Sequence, residues 1–470
     1  MPRIGAMNAR ALAFVLLLLP LAWGGARCNS PYDPHPAVAI SVDAATTYQR
    51  IDGFGGSAAN ESELRAMPEP DRSEVLDLVF GDLAPSVVRI KPRPAMEPVN
   101  DDADPAHRNA AGFVRPDDHL WQLAEIFARG NHPLLIGALW TPPAWMKTTN
   151  QECCGGTLRA GMEAELAEFF SVYLSYLEEA GHPLDSLSIQ NEPEAASPWD
   201  ANTYTPPRMG NALDAVAQRI VADGHATRLH GPDNAIANFV PVYLPALLAK
   251  PAVRSLFDAV GFHLYGQTFY PDSSTVAADV APVAGAAPAD TPLWMTEFSN
   301  TTFEGYGSHD EGVWQAELIH ESLVNGVSMY VMWNLYRPGG PGEAAIVIPT
   351  TPGAHGYTVT PKYWTLRQYA KYVRAGATRV EASSADADLL VTAFRDDAAG
   401  KLVAVAINRA DAPRWAVFDG AGFSGAPEVV RTSPLETGAA IAADSLDRFG
   451  DRSLLMPARS VATLIWTLEP

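Results

Sequence analysis

The feature that most constrains the fold is a repeat in which a short apolar run alternates with a segment of helical spacing. The predicted strands lie near residues 51, 86, 133, 186, 228, 259, 293 and 327, and the one near 228 has the weakest signal. Strands that alternate with helices pair in parallel through right-handed crossovers. Eight such units predict an α/β fold, a (β/α)8 TIM barrel, over residues 49–375. A doubly wound open sheet is the alternative.

The pattern changes after residue 375. Short apolar runs between turn residues replace the helical spacing, at 379–382, 389–394, 402–408, 415–418 and 461–466. This pattern predicts an appended antiparallel β-sandwich side domain over residues 376–470. The segment 29–48 is a linker with one short apolar run, which we expect to join the side domain as a strand.

The first 28 residues are typical of a signal peptide. Arg3 and Arg10 precede the apolar run 11–19, and small residues follow at 24–26. The run is too short for a comfortable membrane span. We therefore expect a secreted protein, with lipid anchoring through Cys28 as the alternative, and we expect no membrane span.

Charge and cysteine content exclude several classes of protein. Lys and Arg total 33 against 54 Asp and Glu, a net charge of -21, which is the wrong sign for a nucleic-acid-binding protein. The three cysteines are too few for a disulfide scaffold, and no ligand spacing indicates a metal, so we expect no cofactor. Cys153 and Cys154 are adjacent, which leaves a vicinal disulfide, two free thiols or a loop staple open. We expect a monomer.

Two carboxylates stand where a barrel of this kind places its active site. Function in such barrels lies at the carboxyl ends of the strands, and Glu192 ends the fourth strand while Glu297 ends the seventh. These strands face each other, so both side chains can share one cleft. Paired carboxylates are the groups that hydrolyse glycosidic bonds. Glu192 follows Asn191 and is the predicted acid/base, and Glu297 is the predicted nucleophile.

The other strand ends supply candidate substrate-binding side chains. Trp140 and Trp333 suit sugar stacking, although a buried Trp in the core is the alternative for each. The Asn191 amide suits a sugar hydroxyl. Arg89 is suited to keep the nucleophile ionised, and His263 either orients a carboxylate or is an ordinary core histidine.

Arg89, Lys91 and Arg93 alternate, so they share one side of an extended segment at the edge of the cleft. One interpretation is a basic strip that attracts an acidic sugar branch. The other is pairing with the carboxylates of the following loop, Asp101, Asp102 and Asp104.

Five motifs resemble glycoside hydrolase family 30, a retaining family with a (β/α)8 barrel, and look most similar to its bacterial xylanase-like members. The motifs are IDGFGGS at 51–57, WTPPAWMK at 140–147, SIQNEP at 188–193, WMTE at 294–297 and PKYWTLRQY at 361–369. The resemblance implies Glu192 as acid/base and Glu297 as nucleophile. It also implies a first sugar site lined by Arg89, Trp140, Asn191, His263, Tyr265 and Trp333.

The resemblance implies a polysaccharide or oligosaccharide substrate, first of all xylan or glucuronoxylan cleaved by an endo-β-1,4-xylanase. β-1,6-Glucanase, β-1,6-galactanase and glucosylceramidase activities are the alternatives, and Arg337 after the eighth strand is a candidate contact for a uronate branch. Rival hypotheses are a non-catalytic carbohydrate-binding barrel and an inverting enzyme. We expect the loop that carries Cys153 and Cys154 to shape a substrate subsite and to perform no chemistry.

Overall fold

Eight parallel strands, each buried by its neighbours and by surrounding helices, close into a barrel in sequence order. The structure is a computed structural model that describes residues 35–107, 109–442 and 449–469. The predicted signal peptide, Cys28 and the first part of the segment 29–48 lie outside the described residues. Strand β1 (Ala37–Arg50) precedes the barrel. The barrel strands are β2 (Gly53–Ser57), β3 (Val87–Ile90), β4 (Leu134–Ala138), β5 (Ser186–Ser188), β6 (Arg228–Asn234), β7 (Phe257–His263), β8 (Leu293–Phe298) and β9 (Val327–Met332).

All eight predicted strands are present, including the one near residue 228 whose sequence signal is weak, and the doubly wound alternative is wrong because the sheet closes. Closure requires β2 to lie between β3 and β9. A Cβ atom on Gly55 would overlap the carbonyl oxygen of Val87, and one on Gly56 would lie 2.8 Å from the carbonyl oxygen of Met332. The glycines at the first strand therefore serve the close approach of neighbouring backbones.

Helices cover the outside of the barrel. They are α1 (Glu61–Arg65), α2 (Asp71–Leu76), α3 (Asp117–Ala128), α4 (Glu163–Glu179), α5 (Pro206–Asp223), α6 (Val240–Leu248), α7 (Pro251–Leu256), α8 (Val276–Ala286), α9 (His309–Val324) and α10 (Pro361–Ala370). Helix α8 was not predicted from the sequence, because its residues are mostly small and Pro282 lies inside it. No helix in the described parts of the chain is long and apolar enough to cross a membrane.

The loop after the eighth barrel strand folds into a small sheet of its own. It contains β10 (Tyr336–Pro338), β11 (Ile346–Ile348) and β12 (Thr358–Val359), with β10 parallel to β11. The sequence predicted only a loop here. Strand β10 carries Arg337 at the edge of the barrel's carboxyl-terminal end.

The side domain is one large sheet that folds over its own core. The remaining strands are β13 (Thr378–Ser384), β14 (Leu389–Asp396), β15 (Lys401–Asn408), β16 (Arg414–Ala421), β17 (Phe423–Ser433), β18 (Glu436–Ile441), β19 (Ser453–Met456) and β20 (Ser460–Leu468). Their order with β1 is β18-β17-β20-β15-β14-β13-β1-β16-β19. Phe418 of β16 and Trp466 of β20 have ring centroids 5.3 Å apart although their strands are not neighbours, so the sheet curls as a sandwich.

Strand β1 joins the side sheet and corrects one detail of the prediction. It pairs antiparallel with β13 but parallel with β16, so the sheet is not wholly antiparallel. The parallel pair is possible because β1 comes from before the barrel and is not connected to β16 by a hairpin.

Polar and aromatic contacts fix the side sheet to the barrel. The Gln368 amide of α10 donates to Thr432 Oγ1 at 2.9 Å and accepts from Thr463 Oγ1 at 2.7 Å. Phe54 of the barrel and Phe394 of the side sheet have ring centroids 6.4 Å apart. Residues 36–470 accordingly form one compact unit.

Candidate active site

A cavity of about 590 Å³ opens at the carboxyl ends of the barrel strands. Both predicted catalytic carboxylates, Glu192 and Glu297, line it, and so do Trp140, Trp333 and Arg337. Barrel closure therefore brings together residues that are far apart in the sequence. The cleft is the candidate active site.

The backbone of Glu192 is held in an uncommon conformation. Its φ angle is 52°, a left-handed value that costs a non-glycine residue about 1–3 kcal/mol. The Glu192 N–H donates to the carbonyl of Asp233 at 2.9 Å, and the Glu192 carbonyl accepts from Ala195 N–H at 2.9 Å. These bonds fix the loop directly after β5, and they leave the carboxylate at the cleft with Oε1 3.2 Å from Nδ1 of His263.

Glu297 lies in β8 and has a cation in direct contact. Arg89 Nη1 is 2.5 Å from Glu297 Oε2, and Tyr265 donates its hydroxyl proton to Oε1 at 3.1 Å. Arg89 is fully buried and also donates to Asn191 Oδ1 at 2.8 Å. The predicted residues Arg89, Asn191, Tyr265 and Glu297 thus form one hydrogen-bonded group.

The two carboxylates have different electrostatic surroundings. One oxygen of Glu192, one of Glu297 and one ring nitrogen of His263 all lie within 4.8 Å of one another. Burial raises the pKa of Glu192 to about 7, and Asp233 adds to the rise while Arg89 opposes it. Burial also raises the pKa of Glu297, but the Arg89 guanidinium in direct contact favours its ionised form. Like charges this close favour a pair that shares one proton, with the negative charge on Glu297.

His263 is fully buried, and burial lowers its pKa, so the ring is neutral near pH 7. A neutral imidazole can donate one hydrogen bond to Glu192. The ligand atoms of Glu192, His263 and Glu297 are close enough to hold a metal ion. An entering cation would meet the Arg89 guanidinium already in contact with Glu297, so the arrangement suits a shared proton better than a metal.

The aromatic rings of the cleft stand beside the cations. Trp140 and Trp333 have ring centroids 5.4 Å apart. The Arg89 guanidinium lies 4.7 Å, and the Lys91 ammonium 5.0 Å, from the Trp140 ring centroid. Trp140 is buried and Trp333 is half-buried, so Trp333 presents more of its ring to a substrate.

The predicted pairing of the basic strip with Asp101, Asp102 and Asp104 is wrong. Lys91 pairs with Asp200 at 2.7 Å, and Arg93 pairs with Glu61 through two bonds of 2.8 Å. The loop carboxylates make local contacts instead, as in the bond of Asp102 to His107. Loops that are distant in sequence supply the partners, because barrel closure brings them to the same cleft edge.

Arg337 is in the cleft wall as predicted for a substrate contact, but it forms an ion pair with Glu343, which lies in the short 3-10 helix between β10 and β11. Its guanidinium therefore already has a carboxylate partner. Of the cations that line this cavity, Lys91, Arg93 and Arg337 each have one carboxylate partner among the described residues.

Asp233 is a site residue that the sequence analysis missed. It is the last residue but one of β6, is fully buried, and accepts from Thr296 Oγ1 at 2.7 Å. Its Oδ2 lies 3.4 Å from Arg89 Nη2. Although burial alone would raise the pKa of Asp233, contacts with His230 and Arg89 hold it below its usual value. The sequence analysis ended this strand, the fifth of the barrel, at residue 230 and so found no candidate in it. The polar pair at 233–234, directly after Pro232, was the signal that could have identified Asp233.

The fold and the paired carboxylates define a (β/α)8 barrel of the glycoside hydrolase type with a β-sandwich side domain. No family model matches the chain. It is 25% identical over 285 residues to glucuronoxylanase XynC of Bacillus subtilis, a match that covers 59% of this chain and 61% of that protein. It is 22% identical over 361 residues to an endo-1,6-β-D-glucanase of Neurospora crassa, covering 70% and 71%.

A solved structure has a similar fold. The catalytic domain of a GH30 xylanase C from Talaromyces cellulolyticus superposes with a TM-score of 0.75 at 19% identity, covering 91% of this chain and 100% of that one. The match to the Bacillus protein spans about three fifths of its length. Together these similarities confirm the resemblance to glycoside hydrolase family 30 that the motifs indicated.

Proposed function

We propose that the protein is a secreted retaining β-glycosidase with Glu192 as acid/base and Glu297 as nucleophile. The observation that carries the proposal is the pair of carboxylates with oxygens within 4.8 Å of each other and with unequal electrostatic surroundings. Retaining enzymes separate their carboxyl groups by about 5–5.5 Å and inverting enzymes by about 6.5–9.5 Å. The short separation favours double displacement.

The two steps use the groups in the states described above. Protonated Glu192 donates its proton to the glycosidic oxygen, while ionised Glu297 attacks the anomeric carbon and the leaving group departs. A water then attacks the glycosyl–enzyme ester, and Glu192 takes the proton from that water. Arg89 and Tyr265 hold Glu297 in position, and Asn191, fixed by Arg89, is placed to contact the sugar. Each cycle returns both carboxylates to their starting states.

A test of the mechanism follows the configuration of the first product. Proton NMR during hydrolysis should show the β-anomer first, because two inversions restore the starting configuration. An initial α-anomer would contradict the retaining mechanism. Glu297→Ala should abolish hydrolysis, and wild-type activity in that variant would contradict the nucleophile assignment. A parent protein that hydrolyses no β-glycan would support the non-catalytic barrel.

For the substrate we propose the β-1,4-linked xylan backbone, cleaved within the chain. The similarity to glucuronoxylanase and xylanase relatives supports this choice. The cleft cations are already matched by carboxylates, as in Arg337 with Glu343, so we propose that a uronic acid branch is not required. A buried or half-buried cation that already has a partner gains less from a second carboxylate than a free one would.

Rates on glucuronoxylan, on the same xylan after removal of its uronic acid, and on a β-1,6-glucan test this choice. We expect similar rates on the two xylans and slow turnover of the glucan. A strong dependence on uronic acid would contradict the inference from the ion pairs. Turnover of the glucan alone would contradict the xylan assignment while leaving the retaining mechanism in place.

Export is proposed on residues 1–28 alone. Mass spectrometry of the protein recovered from an exporting host should show a chain that begins near residue 29. A chain that begins at Cys28 and carries acyl groups would support the lipid-anchored alternative, and a full-length chain would contradict export through a cleaved signal.

A further inference from the structure

Cys153 and Cys154, whose state the sequence left open, are joined by a disulfide. Cys154 is exposed and Cys153 is half-buried. The residues that follow turn sharply, with φ of 67° at Cys154, 76° at Gly155 and 85° at Gly156. The disulfide therefore sits in a tight turn on the loop after β4, beside the cleft.

This turn is bonded to the loop that follows Glu192. Cys154 N–H donates to the carbonyl of Trp199 at 3.0 Å, and Ala201 N–H donates to the carbonyl of Glu152 at 3.2 Å. Thr203 N–H donates to the carbonyl of Gly156 at 2.8 Å. Residues 152–154 and 199–201 thus form a short antiparallel bridge centred on Cys153 and Asp200. This bridge, together with the Thr203–Gly156 bond beside it, is called here the cleft ladder.

A buried lysine donates hydrogen bonds to both segments of the cleft ladder. The Lys147 ammonium donates to the carbonyls of Glu152 at 2.9 Å and Ala201 at 2.7 Å, one from each segment. Lys147 is fully buried and contacts no carboxylate in the described residues, so both bonds serve to hold the two segments together. On the cleft side, Asp200 of the ladder pairs with Lys91.

The cleft ladder carries an exposed aromatic ring into the active-site cavity. Trp199 is 58% exposed and lines the same cavity as Glu192 and Glu297. The exposed indole of Trp199 is therefore not part of the core, unlike that of Trp140, which is 4% exposed. Large apolar rings exposed at a cleft mark binding sites.

We propose that Trp199 is the stacking platform of a further sugar subsite on the leaving-group side of the cleft, and that the Cys153–Cys154 disulfide holds it in place through the cleft ladder. The ligand is a neutral pyranose unit of the β-linked chain, whose C–H face packs on the indole. The side follows from the connectivity, because Trp199 lies on the same loop as Glu192, the proposed proton donor to the leaving group. The inference rests on the proposed function and adds a subsite to it.

The physical reason for the disulfide is preorganisation. A flexible loop must be ordered when a sugar binds, and the entropy cost of this ordering weakens the affinity. The loop is already ordered before binding by the disulfide, by the two hydrogen bonds of Lys147 and by the backbone bonds of the cleft ladder. Reduction of Cys153–Cys154 frees the turn, so it should weaken binding of long chains without altering the catalytic pair.

Binding is measured by calorimetry in the catalytically inactive Glu297→Ala protein, with xylohexaose and a β-1,6-linked glucohexaose as probes. Trp199→Ala should weaken binding of the preferred hexasaccharide about tenfold. Trp199→Phe keeps an aromatic ring and should weaken this binding less than about threefold. Tyr48→Ala is the matched control, since Tyr48 is 45% exposed but lies in the side sheet. Unchanged affinity in Trp199→Ala, or no binding of either probe to Glu297→Ala, would overturn the subsite.

The role of the disulfide is tested by a double-mutant cycle. Cys153→Ser with Cys154→Ser should lower affinity in the same direction as Trp199→Ala, and the two changes together should cost little more than Trp199→Ala alone. Fully additive losses would overturn the link between the disulfide and Trp199.

Turnover separates this proposal from the proposed function. In the active protein, Trp199→Ala should lower kcat/KM on xylohexaose about tenfold more than on an aryl β-xylobioside, which lacks sugars on the leaving-group side. Equal losses on both substrates would overturn the placement of the subsite. A parent protein that hydrolyses neither substrate would contradict the proposed function, while the calorimetry would still decide whether Trp199 binds a sugar.

Discussion

Replacement of Arg89 by Met is the perturbation whose consequences the structure defines most fully. Arg89 has no exposed surface and contacts Glu297 at 2.5 Å, Asn191 at 2.8 Å and Asp233 at 3.4 Å. Met has a similar apolar stem but no charge, so two buried carboxylates lose their cation. Breaking a buried ion pair costs about 3–5 kcal/mol, and we expect a loss of that size in the free energy of unfolding at neutral pH.

The loss should depend on pH in a defined direction. Without Arg89 the folded-state pKa of Glu297 rises further above its usual value of 4.5, so the folded protein binds a proton more tightly than the unfolded chain. Stability then falls as pH rises between the unfolded and the folded pKa values. The deficit relative to the wild type should therefore be larger at pH 8 than at pH 5. Urea unfolding at both pH values measures it.

Activity should respond to the same change. Two charge-assisted hydrogen bonds, each worth about 1.5–3 kcal/mol, are removed, so kcat/KM should fall by about 100-fold or more. The acidic limb of the pH profile should move to higher pH because Glu297, the proposed nucleophile, must be ionised. A stability deficit equal at both pH values, together with an unmoved acidic limb, would refute the role of Arg89.

Arg379→Met is the matched control. Arg379 is also buried, but its Nε donates to the amide oxygen of Gln49 at 3.0 Å in the side sheet. Its loss should leave the acidic limb of the pH profile in place. Adding Glu297→Gln to Arg89→Met should recover part of the stability, since the neutral amide needs no cation.

Further predictions concern the proposed acid/base Glu192, the tyrosine beside Glu297 and one glycine. Glu192→Gln should lower kcat/KM by about 10²–10⁴-fold and remove the basic limb near pH 7 that its raised pKa produces; a retained limb would assign it to another group. Tyr265→Phe removes the 3.1 Å bond to Glu297 and should lower kcat/KM by about tenfold, with an unchanged rate as the contrary result. Gly261→Ala would place a Cβ atom onto Asp233 Oδ1 and should cost about 1–3 kcal/mol in urea unfolding, whereas wild-type stability would show that Asp233 can move.

The sequence was most informative where a local pattern repeats. Most barrel strands are short apolar runs between turn or helix signals, and all eight were predicted although the one near residue 228 has a weak signal. The carboxyl end of each strand was then a fixed place to look for Glu192 and Glu297. Helix α8 was not predicted because small residues and Pro282 give it little helical signal. Asp233 was not identified as a site residue for a related reason, since its strand carries few apolar residues.

The sequence by itself indicated the eight barrel strands, the change of pattern near residue 375 and the two candidate carboxylates, because these depend on spacing along the chain. The tertiary structure decided the partners. Lys91 pairs with Asp200 and Arg93 with Glu61, and Arg89 joins Asp233 to Glu297, because barrel closure brings distant loops within hydrogen-bonding distance and favours contacts that no local spacing encodes. The same closure set the disulfide turn against Trp199. The candidate catalytic residues could therefore be identified in the sequence, whereas the shape of the cleft depends on the fold.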